Sequence, residues 1–76
     1  MNRIRRKALA EIQAKIEELQ SELETLMSEE EEYRDNMPEN LQGSERYEKA
    51  DTACNNISNA MDGLQEAIDY IEEAME

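Results

Sequence analysis

The sequence has no histidine, tryptophan or phenylalanine, and its 76 residues include a single cysteine. Without histidine, no side chain has the ordinary pKa of a general base at neutral pH, and serine and cysteine lack their usual activating partner. The single Cys54 excludes an internal disulfide and a metal site made of several cysteines. No calcium-loop or glycine-rich phosphate motif is present. We therefore predict a non-enzymatic protein without catalytic residues, metal ligands or cofactors.

Long apolar segments are also missing. No run approaches the ~20 residues that cross a bilayer, and the basic start is not followed by the apolar segment of a secretory signal. The formal net charge of −12 repels nucleic acid backbones and anionic membranes. These absences predict a cytoplasmic protein that contacts neither a membrane nor nucleic acid directly.

Regularly spaced apolar residues, by contrast, are abundant in the first half of the chain. Over residues 3–33 they form two rows, each with a repeat of seven. The first row contains Leu9, Ile16 and Leu23. The second row contains Ile12, Leu19, Leu26 and Tyr33. Rows spaced in this way are typical of a helix packed against another helix, so both rows are predicted to face a partner helix.

Residues 45–75 carry a wider apolar pattern of three rows. Two rows again fit a helix pair: they contain Tyr47, Cys54, Met61, Ile68 and Met75, and Ala50, Ile57, Leu64 and Ile71. The third row is made of alanines, and the resulting face is too wide for one neighbouring helix. We therefore predict an oligomer interface on this helix, formed by Ala53, Ile57, Ala60, Leu64, Ala67, Ile71 and Ala74. Alternatively, alanine occurs there only because it favours helix.

The connection between the heptads, residues 34–44, contains the residues that interrupt helices. Pro38 cannot lie inside a continuous helix, and Gly43 is suited to a helix end. A short helical turn is predicted at 38–41, and Ser44 is predicted to cap the second helix.

These elements predict an all-α, single-domain fold, an antiparallel hairpin of helices 3–33 and 45–75. A hairpin of this size has a small core, so we predict assembly into a four-helix-bundle homodimer or a larger even-numbered oligomer. The charges favour the same arrangement. Residues 1–15 carry a net charge of +4, and an antiparallel hairpin places the acidic residues 69–76 beside them.

At the other end of the hairpin, Arg46 and Lys49 are expected near Glu29 to Glu32. The connection there is also the first candidate binding site, because tyrosine rings can stack on bases and arginine can bind phosphate with two hydrogen bonds. Its candidate residues are Tyr33, Arg34, Asn36, Asn40, Arg46 and Tyr47. The alternative is that the tyrosines close the core and the arginines neutralise neighbouring glutamates.

The second candidate binding site is the uncharged stretch 52–61, in which Asn55, Asn56 and Asn59 are indifferent helix formers. Two interpretations remain open. The amides could hydrogen-bond across an oligomer interface, or they could line a pocket for a small polar ligand.

Residues 35–47, with the sequence DNMPENLQGSERY, resemble a family of small acidic proteins encoded by phages and prophages of Firmicutes. The start, residues 1–9, and the end, residues 64–74, are similar to that family too. The resemblance covers nearly the whole chain, and the connection is its specific part. The family has no agreed activity, so the resemblance implies no site residues.

The resemblance implies a phage-encoded binding protein that acts in the bacterial host cell as an antagonist of antiviral defence. Two mechanisms are open: sequestering an immune nucleotide signal, or blocking an immune protein with an acidic surface that mimics nucleic acid. The alternative from another class is a structural or regulatory coiled-coil protein without a ligand pocket.

Overall fold

The computed structural model describes all residues from Met1 to Glu76 and contains two long helices and no strand. Helix α1 covers Arg3–Asp35, a 3-10 turn covers Glu39–Leu41, and helix α2 covers Glu45–Met75. The two helices pack against each other in a rod of 59 × 15 × 12 Å. The predicted helical hairpin is confirmed, and α1 continues two residues beyond its predicted end.

Both helices begin at a polar cap. The side chain of Asn2 accepts a hydrogen bond from the backbone N–H of Arg5 at 2.8 Å, and that of Ser44 accepts one from Tyr47 at 3.3 Å. Each cap satisfies a backbone donor that has no partner within the helix. The structure thus places Ser44 where the sequence predicts a cap.

Polar contacts along one side of the hairpin determine its antiparallel register. Gln13 Nε2 donates to Glu72 at 2.8 Å, Gln20 Nε2 donates to Gln65 at 3.2 Å, and Arg34 Nη1 donates to Asp51 at 2.9 Å. As the α1 residue advances by seven or fourteen positions, its α2 partner retreats by the same number. A single register therefore holds over the whole length of the pair.

The core is a narrow line between the helices. Its buried residues are Met37, Ala50, Cys54 and Ile68, and none of them belongs to α1. Two helices in contact can cover only one strip of each other, so most apolar residues remain half-buried.

The second predicted row of α1 lies at the edge of the contact with α2, so the prediction that the partner helix covers it is wrong for about half of its surface. Ile12, Leu19, Leu26 and Tyr33 are 46%, 51%, 54% and 49% exposed. The half-buried residues beside the first row are instead Gln13, Gln20, Met27 and Arg34. Helix α1 is turned so that polar side chains reach partners on α2, and its one neighbour cannot also cover the apolar row.

Candidate functional site

An apolar surface remains partly uncovered on the side of the hairpin opposite those polar contacts, and we call it the apolar face. It comprises Ile12, Leu19, Leu26 and Tyr33 of α1 with Ile57, Leu64 and Ile71 of α2. Leu64 lies beside Leu19, Leu23 and Leu26 around a shallow hollow of about 440 Å³. Ile57 and Ile71 are seven residues from Leu64 and share its side of the helix. The face therefore spans both helices.

The opposite side, which we call the polar flank, has Gln13, Gln20 and Arg34 of α1 opposite Asp51, Gln65 and Glu72 of α2. Gln20 Nε2 also donates to the backbone carbonyl of Met61 at 3.4 Å. The side chains of the polar flank form hydrogen bonds within the chain, whereas those of the apolar face on α1 are about half exposed to solvent. The hairpin thus has two chemically different sides.

The accessible surface of the chain is large for its size. It measures 5821 Å² for 8.8 kDa, against about 4,800 Å² for a compact monomer of that mass. The difference, on the order of 1,000 Å², resembles the ~800 Å² that each partner contributes to a standard interface. One hairpin therefore exposes about as much extra surface as a second chain would cover.

The predicted interface residues lie on or next to this apolar face. Ile57, Leu64 and Ile71 belong to it, and all three are half-buried. The alanine row forms its outer edge, where Ala53 and Ala67 are half-buried and Ala60 and Ala74 are exposed.

Sequence reasoning missed the contribution of α1 to this face, because it assigned the row from Ile12 to Tyr33 to the core. A signal was available. Gln13, Gln20 and Arg34 share one heptad position, and so do Asp51, Gln65 and Glu72, as expected for a polar contact line between helices.

The connection forms a second candidate site, an open hollow of about 490 Å³ that we call the loop-end cleft. The lining residues are Glu29, Glu32, Tyr33, Asn36, Met37, Pro38, Leu41 and Arg46. Met37 is buried, and Leu41 is partly exposed. Beside it is a smaller hollow that shares Tyr33 and Arg46 and adds Glu30, Glu45, Lys49 and Ala50. The cleft combines an apolar floor with charged walls.

The structure brings only some of the predicted loop residues together. Tyr33, Asn36 and Arg46 line the loop-end cleft, whereas Arg34, Asn40 and Tyr47 do not. Asn40 is exposed on the 3-10 turn, and Tyr47 is half-buried in the first turn of α2. The candidate site at the connection is therefore smaller than predicted.

Arg34 serves the polar flank. Its Nε lies 2.9 Å from Asp35, and its Nη1 lies 2.9 Å from Asp51. The hydrogen bond to Asp35 is the main cause that raises the pKa of Arg34 above its usual value, and the bond to Asp51 adds to it. Its guanidinium group is thus engaged within the chain.

The predicted polar stretch of α2 forms no cavity with the connection. Asn55, Asn56 and Asn59 are exposed on the outside of the helix, and none of them lines the loop-end cleft. Nearby Cys54 points inward, and burial raises the pKa of its thiol. The thiol is therefore protonated at neutral pH.

The ion pairs of the hairpin are few. Besides the two bonds of Arg34, Lys49 pairs with Glu45 at 3.1 Å. Arg46 shares the cleft with Glu29 and Glu32, as expected, but forms no ion pair with them. None of the five cationic side chains in residues 1–15 forms an ion pair with the acidic end of α2. The expected pairing of opposite charges is therefore not made within the chain.

Neither helix is long and apolar enough to cross a membrane. No group of three or more Cys, Asp or Glu side chains is placed to hold a metal ion. Comparisons of the chain with protein-family models, curated proteins and solved structures find no match.

Proposed function

We propose that this chain is a non-enzymatic binding protein whose apolar face pairs with that of a second copy. The assembly is a four-helix-bundle homodimer or a larger even-numbered oligomer. The observation that supports it is the uncovered row of four large apolar side chains on α1, each about half exposed. Covering the exposed part of each contributes on the order of 1 kcal/mol. Two-fold symmetry allows one such face to cover another.

The polar flank supports the same assignment by exclusion. Its side chains already have partners within the hairpin, so its burial against a second chain would displace existing hydrogen bonds. The apolar face has no such contacts to lose. Association through the apolar face is therefore favoured.

Light scattering and sedimentation velocity test the assembly directly. Wild type should have twice the mass of the 8.8 kDa chain or more, whereas Leu19→Glu with Leu26→Glu should dissociate. The matched control is Ser21→Glu with Ser28→Glu, because it adds the same charges to α1 at exposed positions outside the apolar face. Circular dichroism reports helicity for each variant. A well-folded wild-type monomer would refute the proposal.

We further propose that the assembly antagonises host antiviral defence, on the basis of the resemblance to phage-encoded proteins. Two features favour an immune protein over a nucleotide signal as its target. Arg34, a candidate phosphate ligand, is held by Asp35 and Asp51, and Glu29 and Glu32 would repel phosphate from the loop-end cleft. The acidic outer surface suits a basic groove on a protein.

A pull-down from host lysate, with mass spectrometry of proteins and small molecules, distinguishes these targets. A thermal-shift panel of nucleotides complements it, because a ligand at 100 times its Kd adds about 2.7 kcal/mol of stability. Enrichment of a defence protein with a flat panel supports the proposal. A nucleotide that raises the melting temperature indicates sequestration, and neither result indicates a structural or regulatory coiled-coil role.

A further inference from the structure

Charge is distributed unevenly along α1. Residues 3–15 hold five cationic side chains and one glutamate, whereas residues 16–35 hold nine carboxylates and one arginine. The five cations are free of ion pairs within the hairpin. An antiparallel neighbour of the same sequence would place the basic end of each α1 beside the acidic end of the other. A parallel neighbour would bring like charges together at both ends.

The exposed apolar row of α1 also fits an antiparallel copy of itself. Ile12, Leu19, Leu26 and Tyr33 are spaced by seven, so a two-fold axis between positions 22 and 23 relates Ile12 to Tyr33 and Leu19 to Leu26. That midpoint lies opposite positions 62 and 63 of α2 in the hairpin register. The axis is thus close to the middle of both helices, and the connections lie at opposite ends of the pair.

The first turns of α1 extend this contact beyond the row. Ile4 and Ala8 precede Ile12 in steps of four and share a helical ridge with it. Ile4 is 81% exposed, the highest value among the large apolar side chains. With Ile12 next to Tyr33 of a second copy, Ile4 would lie about 12 Å farther along the axis. That distance brings it over the connection of the second copy.

The loop-end cleft has the chemistry to receive these turns. Met37, Pro38 and Leu41 give it an apolar surface for Ile4. In the same register Glu29 and Glu32 lie opposite positions 16 and 13 of the second copy, so the cation nearest to their carboxylates is Lys15. Tyr33 belongs both to the apolar face and to the cleft wall, so the two surfaces are continuous.

We propose that the basic first turns of α1 in a second copy, residues 3–8, occupy the loop-end cleft, with the two α1 helices antiparallel. This inference rests on the proposed self-association and specifies its geometry. The cleft then belongs to the interface between copies, and Tyr33, Asn36 and Arg46 are contact residues for the second chain.

Mixed disulfides test the geometry. In a Cys54→Ala background, Ile4→Cys and Leu41→Cys chains of different tagged mass are mixed, oxidised mildly and separated without reductant. The mixed disulfide should dominate. Disulfides between identical chains would overturn the antiparallel arrangement, and so would a dimeric sample that forms no disulfide. Sedimentation of the same reduced samples separates this failure from failure of self-association, because only the latter leaves monomers.

Charge exchange gives an independent readout. Lys15→Glu should weaken the dimer about tenfold, because Lys15 lies between the positions opposite Glu29 and Glu32 in this register, and Glu29→Arg with Glu32→Arg should do the same. Mixing the two variants restores opposite charges at both ends, so the mixed dimer should recover wild-type affinity. Circular dichroism verifies that both variants fold. Equal affinity for all three samples would overturn the proposed contact.

Discussion

The polar flank and the apolar face are built from adjacent rows of the same helix, yet they differ in what they bind. On the polar flank, Gln13, Gln20 and Arg34 find partners on α2. On the apolar face, Leu19 and Leu26 find solvent over half of their surface. The polar row thus sets the register between α1 and α2 within one chain. The apolar row leaves surface exposed, and burying that surface would stabilise contact with a second chain.

The comparison also separates specificity from strength. Hydrogen bonds between exposed side chains contribute about 1 kcal/mol or less, but a shifted register would leave each of them unmade. Apolar contacts contribute more and tolerate many registers. The hydrogen bonds between α1 and α2 therefore fix the register of the hairpin within one chain, and the outer apolar row is not needed for it.

The largest effect on stability should come from the buried core between α1 and α2, which separates the polar flank from the apolar face. Ile68→Ala should destabilise the hairpin by about 2–4 kcal/mol, because the side chain is only 3% exposed and its loss leaves a cavity. Urea unfolding at fixed protein concentration measures the change. Tyr70→Ala is the control, since Tyr70 on the same helix is 71% exposed and should change stability by about 0.5 kcal/mol or less. Equal losses would contradict the burial pattern.

Apolar substitutions on the polar flank would remove the chemical difference between the two sides of the hairpin. Gln13→Leu with Gln20→Leu removes three hydrogen bonds between the helices, each worth about 1 kcal/mol, and adds apolar surface to the polar flank. Sedimentation should then show species heavier than those of wild type, because a second face can associate. Ser21→Leu with Ser28→Leu, at exposed positions outside both sides, should not produce them to the same extent. An unchanged mass of the Gln13→Leu with Gln20→Leu variant would show that the polar flank does not bind a second chain even when it is apolar.

A smaller effect is expected at Gly63, which is exposed on α2. A Cβ at this position would meet no atom within 4 Å, and the backbone is ordinary helix. Gly63→Ala should therefore raise stability by about 0.5–1 kcal/mol, because alanine restricts the unfolded chain and favours helix. Thermal unfolding measures the gain. A loss instead of a gain would place a second chain against this backbone.

The smallest effect concerns the thiol of Cys54. Burial raises its pKa above the ordinary value of 9.0, so above that pH the unfolded chain releases a proton that the folded chain retains. Stability should fall as pH rises through this range, with a slope of at most about 1.4 kcal/mol per pH unit. Urea unfolding of wild type and Cys54→Ala across this range isolates the thiol, because the other titrating groups are shared. Parallel pH profiles would contradict burial of the thiol.

Periodicity in the sequence was sufficient to predict two helices and their hairpin, because apolar residues recur every seven positions and Pro38 interrupts them. It was insufficient to orient α1. The rows that begin at Ile12 and Gln13 lie about 100° apart on α1, on either side of the row that begins at Leu9. The choice between them depends on α2 residues far away in the sequence, such as Glu72 opposite Gln13. The seven-residue spacing of these polar residues indicates the pairing only when the patterns of both helices are compared.

The candidate site shows the same limit. Tyr33 and Arg34 are neighbours in sequence and belong to one predicted site, but consecutive helical residues point about 100° apart. Tyr33 consequently lines the loop-end cleft, and Arg34 reaches Asp51 on the polar flank. The cleft itself depends on how the connection folds over Met37, which residue types alone do not determine.

The slender shape of the hairpin has a consequence for measurements in solution. Its radius of gyration is 17.4 Å, against about 11 Å for a compact chain of this length. Two rods pairing side by side at the usual helix spacing would have a radius of gyration of roughly 18 Å, although the scattering mass doubles. End-to-end pairing of the two rods would instead nearly double the radius of gyration. X-ray scattering thus distinguishes side-by-side from end-to-end pairing, because only side-by-side pairing leaves the radius of gyration nearly unchanged.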